Sequence, residues 1–181
     1  LRKYAALKPT DVQAQRMLGD KLYEKKDNAG AIAAYKAVLK ADPKATGFYK
    51  KYAELIMNSS TNEQEVAAVL NAGIVIGEAD FKMYERLASI YAKQGNHAKA
   101  VEMYEKASQL DPKNMQILIS LAESQSKSGK INGAIMTYEQ AVAMNPQASK
   151  EYKILGDLYK KDNKTESAIS NYKKYLEKNA D

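Results

Sequence analysis

The sequence predicts an all-α fold, an α-solenoid of stacked antiparallel helix pairs, and three observations predict it. Residues of one type recur at a fixed spacing, apolar positions within each unit follow helical periodicity, and glycine or proline separates the helices. A period near 34 residues is typical of stacked helical repeats. The series, at intervals of 34 or 69, are Leu18, Leu87, Leu121 and Leu155; Ala31, Ala100, Ala134 and Ala168; Tyr35, Tyr104, Tyr138 and Tyr172; and Pro9, Pro43, Pro112 and Pro146.

Residues 81–114 show one helix pair most clearly. Leu87 and Tyr91 lie four residues apart and predict one face of a first helix, while Tyr104 belongs to a second helix. Between them Gly95 can take the positive φ of a tight turn, and Pro112 stops the second helix. One pair leaves two apolar sides uncovered. Neighbouring pairs must therefore stack, and each large side chain that they bury contributes roughly 1.5–3 kcal/mol.

The spacing divides the chain into five predicted repeats within one solenoid domain. Residues 1–11 match only the end of an upstream second helix, and the repeats are 12–45, 46–80, 81–114, 115–148 and 149–181. The second repeat is divergent and has 35 residues, since the interval of 69 equals 34 plus 35. Its extra residue is expected in the turn at 58–62. In the last repeat Ala180 stands where the proline would be.

These motifs resemble the tetratricopeptide repeat over nearly the whole chain. The first helices carry Leu-Gly or Leu-Ala followed by tyrosine, and the second helices carry Ala, Tyr, Ala and Pro. The resemblance implies a right-handed superhelix whose first helices line a concave groove. The pentatricopeptide repeat of RNA-binding proteins is the nearest rival, but it does not require this combination of Leu-Gly, Ala, Tyr and Asp-Pro.

The composition argues against catalysis. The chain has one histidine, His97, and no cysteine, which excludes Cys–His pairs and multi-histidine metal sites. Five acidic residues on first helices recur one repeat apart, about 10 Å if each repeat adds one helical layer, which is too far for an acid–base pair. They are Asp20, Glu54, Glu85, Glu123 and Asp157. We therefore expect no enzyme activity, no catalytic or metal-binding residue and no cofactor.

The charge pattern limits the classes of partner. The formal net charge is +6 over 181 residues, and lysines spread over turns and outer faces supply most of the positive charge. Acidic residues interrupt the lysines and the tyrosines follow the core periodicity, so nucleic-acid binding is not expected. No apolar run is long enough to span a membrane, and no apolar leader follows Leu1. We expect a soluble chain in the cytoplasm or the periplasm.

The resemblance also implies a function, that of a protein-interaction scaffold which binds a peptide segment of its partner in the groove. Arg16, Lys50, Lys82, Arg86 and Lys93 are expected to attract acidic side chains, with apolar contact from Tyr23 and Met57. The full set of candidate groove residues is Arg16, Asp20, Tyr23, Lys50, Lys51, Glu54, Met57, Lys82, Glu85, Arg86, Ser89, Lys93, Ile119, Ser120 and Glu123.

Three alternatives stay open. One subclass of the family grips a C-terminal carboxylate, but Asp20 and Lys51 stand where its clamp has asparagines. Self-assembly of the chain into a homo-oligomer through its ends is the second alternative. The third is that these repeats form the interaction arm of a larger multidomain protein.

Overall fold

The computed structural model describes residues 2–179, and within them it contains eleven α-helices and no strand. This confirms the all-α fold. Ala180, discussed above, lies outside the described residues. The helices are α1 (Arg2–Leu7), α2 (Val12–Glu24), α3 (Asn28–Ala41), α4 (Tyr49–Ser59), α5 (Glu63–Val75), α6 (Phe81–Lys93), α7 (His97–Leu110), α8 (Met115–Lys127), α9 (Ile131–Met144), α10 (Ser149–Lys161) and α11 (Thr165–Glu177).

The chain folds as two compact units, one running to Leu87 and the other starting at Ala88, so the boundary falls inside α6. In the first unit α1 packs on α2, α2 on α3, α3 on α4 and α4 on α5. Its core contains an aromatic cluster of Tyr35, Phe48, Tyr49 and Tyr52, all almost fully buried. The ring centroids of Phe48 and Tyr49 lie 4.4 Å apart. This cluster joins α3 to α4.

The second unit repeats the same packing scheme. Helices α7 and α8, α8 and α9, α9 and α10, and α10 and α11 pack against each other in chain order. Its core includes Tyr138, Tyr152 and Leu155, with Ile119 packed at the margin. Two of its alanines, Ala122 of α8 and Ala134 of α9, are fully buried. Small residues there let neighbouring helices approach closely.

Asparagine and aspartate cap the starts of several helices. Asp11, Asp27, Asn62, Asn96 and Asn114 each accept a hydrogen bond from a backbone N–H in the first turn of the helix that follows. Such a cap satisfies donors that have no partner inside the helix and is worth about 1 kcal/mol. The caps fix the starts of the first helices α2 and α8 and of the second helices α3, α5 and α7.

The turn between α4 and α5 differs from the other helix–helix turns. Lys26, Gly95, Gly129 and Asn163 adopt positive φ in the corresponding turns of the other pairs. After α4 the chain instead leaves through extended backbone at Ser60, with φ −95° and ψ 132°. The left-handed residue appears at the other end of the pair, at Gly77 with φ +79°. The departure from the common geometry thus lies in the divergent predicted repeat.

No helix in residues 2–179 combines the length and the apolar character that crossing a membrane would need.

Candidate functional site

The first unit brings α2 and α4 side by side through the polar residues that the sequence assigns to the groove. Lys51 Nζ lies 2.7 Å from Asp20 Oδ1. One turn further along both helices, the Tyr23 hydroxyl donates a 2.6 Å hydrogen bond to Glu54 Oε2. We call the surface formed by Arg16, Asp20 and Tyr23 of α2 and Lys50, Lys51, Glu54 and Met57 of α4 the α2–α4 face.

Asp20 has a structural role on this face. Its Oδ1 also accepts a 2.9 Å hydrogen bond from the hydroxyl of Tyr35, the fully buried tyrosine of α3. Burial, with the Asp20 hydrogen bond as the second cause, raises the pKa of Tyr35 well above its ordinary value. Lys51 and Asp20 are both partly exposed, so their ion pair contributes less than about 1 kcal/mol. Asp20 is therefore already partnered and offers little free charge to a ligand.

Tyr23 and Glu54 form the second fixed pair. The hydrogen bond to Glu54 is the main cause that raises the pKa of the Tyr23 phenol, and burial adds to it. Lys51 Nζ also lies 5.9 Å from the centroid of the Tyr23 ring, within the range of a cation–π contact. The side chains of α2 and α4 thus hold one another in place before any ligand binds.

The start of α4 is capped by a residue that is distant in the sequence. Its N-cap, Phe48, has no side-chain acceptor. The Glu78 carboxylate, which precedes α6, accepts hydrogen bonds from the backbone N–H groups of Gly47 and of Tyr49, the latter at 3.2 Å. Arg16 Nη1 donates to the carbonyl of Thr46 at 3.2 Å. A residue 29 positions away therefore supplies the cap.

Two open hollows lie at the two ends of α4. The N-terminal hollow, about 320 Å³, is lined by Gly47, Phe48, Lys50, Lys51 and Glu78. The C-terminal hollow, about 410 Å³, is lined by Tyr23, Glu24, Lys26, Asn28, Glu54, Leu55, Asn58 and Ser59. Lys50 and Lys51 line the N-terminal hollow, whereas Glu24 and Glu54 line the C-terminal one. The α2–α4 face is therefore polar along its length.

The remaining candidate residues of the first unit lie on α6. Lys82 is exposed, and Glu85 and Arg86 are half-buried. The Nε atom of Arg86 is buried and has no hydrogen-bond partner among the described residues. Met57 of α4 is half-buried as well. These residues belong to the same unit as the α2–α4 face.

The other candidates belong to the second unit. Ser89 is half-buried and Lys93 is exposed in the second half of α6, whereas Ile119, Ser120 and Glu123 lie on α8. The Ser120 carbonyl accepts a hydrogen bond from the Ser124 hydroxyl at 2.8 Å. Burial first, and then the charge of Glu123, raises the pKa of Tyr138. A single groove that contains the residues of both units stays a prediction.

Sequence reasoning missed Glu24 and Glu78. Glu24 lies one turn after Asp20 on α2, so stepping by four residues along the groove face would have found it. Glu78 has no such signal, because only the folded backbone brings it to the start of α4.

Among residues 2–179 no three histidine, cysteine, aspartate or glutamate side chains are placed to hold a metal ion. His97 is half-buried at the start of α7.

Two family models, both described as tetratricopeptide repeat, match the chain, one over residues 1–46 and the other over residues 91–158. The chain belongs to the tetratricopeptide repeat family. Proteins built from this repeat generally serve as protein-interaction scaffolds, because stacked repeats form extended surfaces to which partners bind. No curated protein matches the chain.

Several solved structures share the fold. A crystal structure of MamA protein is 26% identical, with a TM-score of 0.68, and the match covers 92% of this chain and 91% of that one. YrrB, described as a TPR protein with an unusual peptide-binding site, is 14% identical with a TM-score of 0.75, over 99% and 92%. MamA from Desulfovibrio magneticus RS-1 is 14% identical with a TM-score of 0.64, over 93% and 95%.

Proposed function

We propose that this protein is a non-enzymatic adaptor whose α2–α4 face binds a peptide segment of a partner protein. The segment that it binds is rich in acidic side chains. The observation that carries the proposal is the preformed state of this face. Contacts of 2.7 Å between Lys51 and Asp20 and 2.6 Å between Tyr23 and Glu54 fix it without a ligand. A rigid face lowers the conformational entropy lost on binding. A comparable function is described for YrrB, a tetratricopeptide repeat protein with a peptide-binding site.

The charge balance favours an acidic segment. The carboxylate of Asp20 is paired with Lys51, and both oxygens of Glu78 accept backbone hydrogen bonds. Lys50 is exposed and forms no ion pair within the described range 2–179. Arg16, Lys82 and Arg86 on the same unit are further cationic candidates. Affinity in the micromolar range, about −8 kcal/mol, is ordinary for such a surface.

Two tyrosine hydroxyls are held by carboxylates of this face, that of Tyr23 on the face itself and that of the buried Tyr35 of α3. The hydrogen bond to Glu54 is the main cause that raises the pKa of Tyr23, and burial is the main cause that raises the pKa of Tyr35. Both side chains serve as fixed hydrogen-bond donors.

The proposal is tested by selecting peptides from a random dodecapeptide display library and measuring the affinity of a selected synthetic peptide by calorimetry. We expect Lys50→Glu, and separately Lys82→Glu/Arg86→Glu, to weaken binding. The matched control is Lys40→Glu, the same charge change on exposed Lys40 of α3, a second helix of the same unit. If Lys50→Glu binds the peptide as well as wild type does, the α2–α4 face is not the binding site; if only Lys82→Glu/Arg86→Glu binds as well as wild type does, α6 takes no part.

Self-assembly is a second candidate function, favoured by the apolar surface of the last helix. Ile169 and Leu176 of α11 are 49% and 62% exposed, and they lie seven residues apart on one face of the helix. An exposed apolar stripe of this kind is suited to contact with another molecule. Sedimentation velocity over a wide concentration range tests it: a monomer at every concentration eliminates this candidate.

A further inference from the structure

We propose that the peptide bound on the α2–α4 face is bipolar, with an acidic side chain at the N-terminal hollow and a lysine or arginine side chain in the C-terminal hollow. This inference rests on the proposed function and specifies the ligand of the same site. It follows from the charges, the walls and the separation of the two hollows.

The N-terminal hollow suits an anionic side chain. Of its charged lining residues Lys51 is already paired with Asp20, which leaves Lys50 and Glu78. The Glu78 oxygens are occupied by the backbone amides of Gly47 and Tyr49, whereas Lys50 is exposed. The first turn of α4 adds the partial positive charge of a helix N-terminus. A carboxylate of the ligand would therefore meet Lys50 as its main partner.

The C-terminal hollow has the opposite character. Its lining has a formal charge of −1, from Glu24 and Glu54 against Lys26. Helix α2 ends at Glu24 and α4 ends at Ser59, so the C-terminal ends of two helices, each with partial negative charge, border the same space, while Asn28 brings the partial positive charge of one helix N-terminus, that of α3. The net charge of the lining and the two helix C-termini together favour a cation.

The walls of the C-terminal hollow suit a long basic side chain in particular. Leu55 and the Tyr23 ring provide apolar contact for a methylene stem, as lysine and arginine require when their charged ends reach polar groups. The Glu54 oxygen that binds Tyr23 is fixed at 2.6 Å, which holds the carboxylate in position. The other oxygen of Glu54, together with Glu24, is then available to the guanidinium or ammonium group.

The separation of the hollows sets the spacing of the two charges. From Lys50 in the N-terminal hollow to Glu54 in the C-terminal hollow is four residues of α4, or about 6 Å at 1.5 Å per residue. An extended peptide advances about 3.3 Å per residue. Its acidic and basic residues should therefore lie about two positions apart, which also places both side chains on the same side of an extended chain.

The experiment compares the charge pattern of dodecapeptides selected from a random display library by wild type and by three variants. Glu24→Gln/Glu54→Gln removes the negative charge of the C-terminal hollow but leaves an oxygen to accept from Tyr23. Lys50→Glu reverses the charge at the other end. The matched control is Glu139→Gln, because Glu139 accepts a 2.5 Å hydrogen bond from the Tyr159 hydroxyl in the second unit. Circular dichroism verifies that each variant is folded.

We expect wild type and Glu139→Gln to enrich an acidic and a basic residue about two positions apart. Glu24→Gln/Glu54→Gln should lose the basic preference and keep the acidic one, and Lys50→Glu should do the reverse. For one synthetic bipolar peptide, each partly exposed charge removed should weaken binding about threefold.

The outcomes separate this inference from the proposed function. If the glutamine double variant selects the same basic residues as wild type, the bipolar ligand is wrong, while an acidic-peptide adaptor still stands. If wild type enriches no peptide, or Lys50→Glu changes nothing, the proposed function fails and the inference fails with it.

Discussion

Replacing Gly19 by alanine should destabilise the first unit, although alanine occupies the equivalent position in other repeats, as Ala88 and Ala122 show. An ideal Cβ on Gly19 would lie 2.5 Å and 2.7 Å from two ring carbons of Tyr35. That ring is fully buried, and its hydroxyl is held by Asp20 at 2.9 Å. The ring therefore cannot move aside without losing packing or its hydrogen bond.

The expected size follows from three contributions. Overpacking of a buried site costs about 1–3 kcal/mol, and straining the hydroxyl hydrogen bond costs up to about 1 kcal/mol more. The better helix propensity of alanine over glycine offsets roughly 1 kcal/mol. The net loss for Gly19→Ala is then about 0–3 kcal/mol, with a central value of about 1.5 kcal/mol. With a urea dependence of about 2 kcal/mol per molar, the central value lowers the unfolding midpoint by roughly 0.5–1 M.

Urea unfolding followed by circular dichroism measures this shift, and two other glycines serve as comparisons in the second unit. A Cβ on Gly133 would lie 3.4 Å from the Gln125 amide, an ordinary contact, so Gly133→Ala should raise the midpoint. A Cβ on Gly156 would lie 2.5 Å from the Tyr172 ring, but that ring is half-exposed and freer to move. Gly156→Ala should therefore fall between the other two variants.

A double variant identifies the cause. In a Tyr35→Leu background the ring is gone, so adding Gly19→Ala should no longer destabilise, and the two changes should be strongly non-additive. The reasoning is refuted if Gly19→Ala leaves the midpoint unchanged or raises it, as Gly133→Ala is expected to do. It is also refuted if the cost of Gly19→Ala persists without the Tyr35 ring.

Two further predictions concern hydrogen bonds made by carboxylates. Glu78→Ala should lower the free energy of unfolding by about 1 kcal/mol, as the loss of a helix cap does, because the N–H groups of Gly47 and Tyr49 lose their acceptor. Its urea midpoint should therefore lie below that of wild type, with Glu78→Gln in between. Equal midpoints for all three proteins would contradict the cap. Burial, and then the Glu139 hydrogen bond, raises the pKa of Tyr159 to about 12 from about 10. The stabilisation that the protonated Tyr159 gives the folded state is thus present below pH 10 and is lost as the pH rises from 10 to 12. The urea midpoint should therefore fall less between pH 9 and pH 11 in Tyr159→Phe than in wild type. An equal fall in the two proteins would contradict the shift.

Much of the fold is determined by the local sequence. Helical periodicity and the caps at Asp27, Asn96 and Asn114 depend on residues within a turn or two of each other, so the pattern can be recognised without coordinates. The same holds for Gly95, whose positive φ the turn requires. The family likewise follows from residue types at fixed spacing. The sequence therefore determines the helices, their turns and the class of repeat.

The state of the candidate site was decided by the tertiary structure. Periodicity places Asp20, Tyr23, Lys51 and Glu54 on exposed faces, but it cannot tell that they pair across 31 residues of sequence, because that depends on how α2 and α4 approach each other. The cap that Glu78 provides is equally non-local.

One repeat position, which is glycine in some repeats and alanine in others, also separates what the sequence determines from what only the packed structure determines. The sequence pattern treats Gly19, Ala88, Ala122 and Gly156 as equivalent, since each is small. Only the packed structure shows whether a tyrosine ring occupies the space that a Cβ would need. Local sequence determines which residues are helical, since helix formation is a short-range property, whereas close packing and charge pairing depend on contacts between distant segments.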